Sequence, residues 1–332
     1  MQAPSKGTVA LAGGGVNVED ALTSFARALR QENKSPRTLQ TYGESVSQFA
    51  RFLRERGMPA TADGFTREHI TEFLLHLRER GMKPATESNR YRALRTFCKW
   101  LVLEGERPDD PMANMRPPKL PEYTPRVLTL DELKRLVETT AKDKTLAGRR
   151  DLALIYLFAD SGARRSEIAN LRLAYRFEDE RGNPVGPVQS DLDLEQPAGA
   201  LVKLMGKGRR ERIVRIGDKA TTALDRYLRL RARSRGADLP WLWLNGRGER
   251  LTDSGVFQAI KKRGEAAGVD ALYLHTFRHT AAHHWLLSGG PETDLETRLG
   301  WSSPQMIRRY ASTTRAERSH AAHERHGLGD RL

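Results

Sequence analysis

Between residues 108 and 126 the chain reads PDDPMANMRPPKLPEYTPR, with Pro108, Pro111, Pro117, Pro118, Pro121 and Pro125. Proline fixes its own φ and offers no N–H, so neither a helix nor a central strand runs through that density. The chain must fold as two parts joined by an extended, semi-rigid segment. At roughly 3 Å per residue its reach is about 50 Å. A length of 332 residues fits two domains of ordinary size. The divisions read as a flexible tail over 1–16, a helical module over 17–107, the linker over 108–126, and a second domain over 127–332 that ends in a polar tail.

The helical module shows four apolar stripes at helical spacing. Asn17 caps the first, which carries Leu22, Phe25 and Leu29. Ser35-Pro36 opens the second, with Leu39, Tyr42, Val46, Phe49 and Leu53 inward and Gly57 as its stop. A third runs from about Thr66 to Gly81. A fourth carries Tyr91, Leu94, Phe97, Cys98 and Leu101 and ends near Gly105. Short loops between four such stripes predict a small bundle. On the fourth helix Arg92, Arg95 and Lys99 fall away from the apolar stripe. They read either as a solvated face or as phosphate contacts. The whole-chain balance, 56 Lys+Arg against 42 Asp+Glu for a net +14, favours a polyanionic partner. The linker's length would let two basic domains sit on opposite sides of a duplex.

Cys98 is the only cysteine, which excludes an intrachain disulfide framework or a cysteine metal cluster and fits a reducing, cytosolic setting. No apolar run nears the ~20 residues of a membrane span. The first residues, MQAPSKGTVALAGGG, lack a signal-peptide pattern.

In the second domain, Thr129 to Glu132 is a capping box. DLALIYLFA, from Asp151 to Ala159, predicts a buried helix that Gly162 breaks. Arg164 then sits at the mouth of a buried helix and needs an anionic partner. Glu167 three residues on, or a substrate, can supply it. Residues 176–187 read as a polar surface excursion. Residues 191–194, 200–204 and 212–216 read as three short strands. The last two are joined by the turn Gly206-Lys207-Gly208-Arg209-Arg210, which leaves Lys207 at its tip as a solubilising or a working lysine. Residues 241–244 read as a strand or extended segment. Within HTFRH, His275 and Arg278 share a helix face. Ser303 and Pro304 predict a helix start, with Tyr310 about two turns in. His275, His279 and His283 also raise a metal site, though no HExxH is present.

Four blocks in order, SGARRSEI, GKGRRERIV, HTFRH and LGWSSPQMIRRY, resemble the tyrosine recombinases, the phage-integrase and Xer-like site-specific recombinases. The resemblance spans roughly residues 17 to 315. It implies a mainly α protein of two domains: an N-terminal four-helix DNA-binding bundle, then a mostly helical catalytic domain with a small antiparallel three-stranded sheet. Carried over residue by residue, it makes Arg164 and Arg278 the active-site arginines, Lys207 the hairpin lysine, His275 the His of the His-x-x-Arg pair, and Tyr310 the nucleophile. Trp301 stands where most bacterial members have histidine. Ile307 replaces a residue that is often polar. Arg92, Arg95, Lys99 and Arg209 are the expected DNA contacts.

The implied reaction passes through a 3′-phosphotyrosyl intermediate and needs no cofactor, neither ATP nor metal. The implied partners are double-stranded DNA with a specific recombination site and a homotetramer on paired sites, with an accessory protein or second recombinase as a further possibility. The implied location is the cytoplasm, on the nucleoid. Two other readings stand beside it: a type IB topoisomerase, and a non-catalytic DNA-binding relative. Convergence of Arg164, Arg278, Lys207 and a protonated His275 also predicts like-charge repulsion in the empty site.

Overall fold

The computed structural model describes residues 15–121, 125–179, 181–196, 199–206, 208, 210–301, 306, 307, 319 and 323. The chain divides into two compact units, Met1–Tyr123 and Thr124–Leu332.

The first unit is four helices: α1 (Val18–Gln31), α2 (Pro36–Glu55), α3 (Arg67–Glu79) and α4 (Pro84–Leu103). Their starts follow from local chemistry. Asn17 and Ser35 side chains accept from Glu19 N and Thr38 N, and Pro36 and Pro84 stand at first-turn positions where no N–H is needed. Because Pro84 starts it, α4 begins about two turns before the Tyr91 stripe. The stripes meet in an aromatic core of Phe25, Phe49, Phe65, Phe73 and Phe97, all 2% exposed or less. Phe25 meets Phe97 edge-on at 5.2 Å, and Phe49 meets Phe65 in the same way at 5.2 Å. Glu87 is buried on α4 because Arg78 of α3 reaches it at 2.8 Å.

Cys98 lies fully inside this core. Burial, with Asp110 nearby, pushes its thiol up to about 12. The thiolate is the reactive form. Native protein at pH 8 is therefore expected to resist alkylation, with Cys98 labelled only after denaturant is added; rapid labelling of the folded chain would contradict this core.

The proline-rich segment is not extended throughout. Met112 is completely buried in the first unit's core, Met115 packs against that core, and Tyr91 Oη donates to Met115 O at 2.5 Å. Asp110 Oδ1 accepts from Met112 N and turns the chain. Arg107 is buried too, donating to Ala62 O at 3.1 Å and lying over the Phe65 ring. Prolines forbid a ladder or helix here, but not a chain folded back by turns onto an apolar surface. Residues 108–115 thus take roughly 24 Å from the expected reach at about 3 Å per residue.

The second unit is built around α6 (Leu146–Ser161), whose residues from Asp151 to Phe158 are buried except the half-buried Tyr156. Against it pack α5 (Leu130–Ala141), α8 (Asp218–Arg231), α9 (Asp253–Ala266) and α10 (Leu274–Leu287). The short α7 (Arg165–Ala169) follows α6, and α11 (Glu292–Leu299) follows α10. Two small antiparallel sheets complete it. One is the ribbon β1 (Tyr175–Glu178) with β2 (Pro184–Gln189). The other has the order β3 (Leu192–Asp193), β4 (Leu201–Met205), β5 (Glu211–Arg215).

The three-stranded sheet is where the strand pattern places it. The ribbon is not, since residues 176–187 read as an irregular excursion. Pro184 and Pro187 lack N–H groups, but an exposed ribbon tolerates proline where a central strand does not. Asp179 Oδ1 accepts from the N–H groups of Arg181 and Asn183 to close its turn. Residues 241–244 form only isolated bridges, Arg172 to Trp241 and Leu244 to Arg250. No helix among the described residues is long and apolar enough to cross a membrane.

Candidate active site

The site begins where α6 ends. Gly162 takes the left-handed conformation at φ +57, and a Cβ there would meet Leu299 Cδ2 at 2.5 Å, so only glycine turns the chain here. Arg164 follows as the N-cap of α7. Its N–H donates to Glu167 Oε2 at 2.7 Å and its guanidinium to Glu167 Oε1 at 2.9 Å. The structural pairing foreseen for Arg164 exists, yet its side chain remains 37% exposed. The same residue therefore has a face toward a ligand.

Glu167 has a second partner that the sequence reading did not name. Arg212, from β5, donates to Glu167 Oε1 at 2.9 Å and Oε2 at 2.6 Å, and its Nε donates to Arg298 O at 2.9 Å. Of the expected crowd of cations, Arg164 thus has a buried carboxylate beside it, shared with Arg212. Burial pushes the Glu167 carboxyl up, but hydrogen bonds from Arg212 and from the Arg164 N–H outweigh it, so it is held below its ordinary value.

Arg278 comes from α10 and is 1% exposed. Its Nη1 donates to Gly162 O at 3.0 Å and its Nη2 to Leu299 O at 2.7 Å. These bonds tie the end of α6 to the end of α11. Beyond Leu299 the chain turns at Gly300, left-handed at φ +63, and Trp301 lays its ring 5.4 Å from the Arg278 guanidinium. Trp301 belongs to a small core with Ala282, Leu286, Leu295, Leu299 and Ile307. Ile307 is buried there, which accounts for an apolar residue at that position. His275 is exposed on the first turn of α10, its ring 4.6 Å from His279 and nearly perpendicular to it.

Arg164, Gly206, Gly208, Arg210, Arg212 and Trp301 line one cavity of about 740 Å³, with Glu211, Glu296, Thr297 and Gly300 completing its wall. The first arginine block, the hairpin turn and the tryptophan block therefore face a common space. Arg278 is not in its wall; its bonds to Gly162 O and Leu299 O hold the turns that lead to Arg164 and Trp301. Lys207, Arg209, Tyr310 and the helix start at Ser303-Pro304 lie outside the described residues; Met306 and Ile307 are helical. Among the described residues no three His, Cys, Asp or Glu side chains are grouped to hold a metal ion.

In the first unit Arg92 and Lys99 are exposed and Arg95 half-buried on α4. Arg92 also folds back on its own helix, donating to Asn89 Oδ1 at 3.2 Å and Ser88 O at 3.3 Å.

A second carboxyl, at the opposite end of α6 from the site, sets an acid limit. Hydrogen bonds from Thr145 and then Arg263 hold Asp143 down to about 2. A depressed carboxyl stabilises the fold above its unfolded value and loses that contribution as pH falls through the folded one. At pH 7 the wild type is expected to melt above Asp143→Asn, and the gap should close as pH falls from about 4 to about 2. Thermal melts of both proteins over that range check it; a gap that persists at low pH would contradict the assignment.

The geometry can now be set beside known proteins. Residues 126–317 match the phage integrase family, and residues 22–105 match the phage integrase N-terminal SAM-like domain. The chain belongs to the phage integrase family. As a member it is a tyrosine recombinase, an enzyme of site-specific DNA recombination. Tyrosine recombinase XerC of Thermodesulfovibrio yellowstonii is 34% identical over 224 residues, which cover 66% of this chain and 68% of the relative. Tyrosine recombinase XerC of Azotobacter vinelandii is 35% identical over 208 residues, covering 63% and 62%.

Two solved structures share this integrase-family fold. The XerH site-specific recombinase in its post-cleavage complex with palindromic difH substrate has a TM-score of 0.69 at 18% identity, covering 92% of this chain and 84% of that one. A lambda integrase dimer bound to a COC′ core site has a TM-score of 0.64 at 15% identity, covering 90% and 77%. At those identities the likeness is one of fold.

Proposed function

We propose that this recombinase cuts and rejoins double-stranded DNA at a specific site through a 3′-phosphotyrosyl bond to Tyr310. The observation that carries the reading is the shared cavity of Arg164, the β4–β5 turn and Trp301, braced by Arg278.

Tyr310 Oη attacks the phosphorus while the bond from phosphorus to the 5′ oxygen breaks. A free tyrosine has a pKa near 10, so only about one in a thousand is phenolate at pH 7. His275, exposed at the start of α10, takes the phenolic proton. Negative charge gathers on the non-bridging oxygens. Arg164 stabilises it with a planar fork that lysine does not match, Arg278 adds its charge from the buried place where its Nη atoms hold Gly162 O and Leu299 O, and the Trp301 indole N–H adds a donor. Lys207 protonates the departing 5′ oxygen, a role worth roughly 10² to 10⁴ in rate. The phosphodiester energy stays in the covalent bond, so rejoining draws on no nucleotide hydrolysis. Arg92, Arg95, Lys99 and Arg209 contact DNA phosphates.

The working assembly is a homotetramer on two sites in the cytoplasm. One structural neighbour, a lambda integrase tetramer bound to a Holliday junction, supports that reading through its fold.

Covalent capture tests the function. Wild type and Tyr310→Phe are expressed with the native flanking DNA, recovered under denaturing conditions without crosslinker, and any attached DNA is sequenced. A discrete set of sequences on wild type and none on the variant is the expected result. Attachment scattered over the genome would indicate a topoisomerase. No attachment to wild type, with DNA binding intact, would indicate a non-catalytic relative.

A further inference from the structure

We propose that Arg212 is a positioning residue that sets the β4–β5 turn, and with it the leaving-group acid, against the Arg164 cap and the Gly300 turn. The inference rests on reading Lys207 as that acid.

Three observations meet at this side chain. First, its Nε, Nη1 and Nη2 all donate to protein acceptors: Arg298 O, Glu167 Oε1 and Glu167 Oε2. With 10% of the side chain exposed, its fork is committed to the fold rather than offered to a phosphate. Second, the guanidinium fills the space between two glycines. A Cβ on Gly206 would stand 3.7 Å from Arg212 Nη1 and 3.6 Å from Glu167 Oε1. One on Gly300 would stand 3.2 Å from Arg212 Cδ and from Nη1. Third, Gly206 precedes Lys207 in sequence and closes the turn by donating to Arg210 O at 2.8 Å.

Arg212 thus holds together the three segments that carry Arg164, Lys207 and Trp301. A planar fork meets both Glu167 oxygens and the Arg298 carbonyl at once. A lysine keeps the charge but presents a single point donor, so it leaves the turn unlocked.

The step to be read is the breaking of the phosphorus–5′ bond. A 5′ alkoxide must take a proton as it leaves; a 5′ thiolate leaves without one. Single-turnover cleavage is measured on a duplex of the captured sequence with oxygen, and on one with sulfur, at the 5′ bridging position. Arg212→Lys is expected to lose about 10²-fold on the oxygen duplex, the cost of displacing a reacting group by about 1 Å. Most of that loss should disappear on the sulfur duplex.

Equal losses on both duplexes, or no loss on either, would overturn the proposal. Lys207→Ala serves as the reference. If sulfur restores Lys207→Ala but not Arg212→Lys, the positioning role alone falls. If sulfur fails to restore Lys207→Ala, the acid assignment falls and takes the proposal with it. Gly300→Ala, which crowds Arg212 from the other side, is the second variant should Arg212→Lys not fold, and the same pattern is expected of it.

Discussion

Glu167→Ala is expected to destabilise the C-terminal unit by about 3–5 kcal/mol, the usual cost of removing one partner from a buried ion pair. The side chain is 2% exposed and accepts from the Arg164 N–H, the Arg164 guanidinium and both Arg212 Nη atoms. Its loss strands Arg212, whose charge is then buried with the Arg298 carbonyl as its one remaining acceptor among the described residues. It also removes the capping box that starts α7. Glu167→Gln keeps one acceptor oxygen and should fall between the two. Urea unfolding followed by a probe in the C-terminal unit measures both. A loss under about 1 kcal/mol for Glu167→Ala, the range of a surface pair, would contradict the network described.

Arg164→Lys is expected to behave in the opposite way, with a large effect on rate and a small one on stability. Its side chain is more than one-third exposed at the cavity, so its ion pair with Glu167 is screened and a lysine can replace much of it. Against a phosphate the two side chains are not equivalent, because only the guanidinium presents two parallel donors. Losing a preorganised donor to developing charge costs about 10² to 10³ in rate. Single-turnover cleavage beside a melting curve separates the two effects. A variant that cleaves at the wild-type rate would remove Arg164 from the phosphate site.

How far these residues were legible in the sequence depends on how local their chemistry is. The four helices of the first unit were legible from their stripes, and the first two also from their starts: Asn17 with Phe25 and Leu29, Ser35-Pro36 with Val46 and Phe49; the start of α4 at Pro84, which has no side-chain cap, was not read. Glu167 was legible as a partner of Arg164 because the two stand one helical turn apart. Arg212 was not, since its partner is distant in sequence and the strand ERIVR inverts the usual alternation. Ile213 is 66% exposed while Arg212 turns inward beside Val214. Register explains this: Arg212 sits opposite Leu204 and Val214 opposite Val202, so the arginine shares a face with buried residues and reaches Glu167 from it. The folded half of the proline-rich segment was hidden for a similar reason. Proline density excludes regular structure, but the anchors Met112 and Met115 act through tertiary contact alone. Arg231 is a further case. It is 2% exposed and donates to the carbonyls of Ala237, Leu239, Trp241 and Leu242, bonds that no local pattern announces.

The central claim is that Tyr310 becomes joined to a DNA 3′ phosphate. The direct measurement takes the covalent adduct, digests protein and DNA, and locates the nucleotide-bearing peptide by mass spectrometry, while the freed strand is tested for a 5′-hydroxyl by labelling with a polynucleotide kinase without prior phosphatase. The account predicts a nucleotide on the Tyr310 peptide, linked through its 3′ phosphate, and a freed strand that labels directly. A nucleotide on another residue, such as the exposed Tyr273 beside His275, or a 5′ linkage with a 3′-hydroxyl on the freed strand, would contradict it.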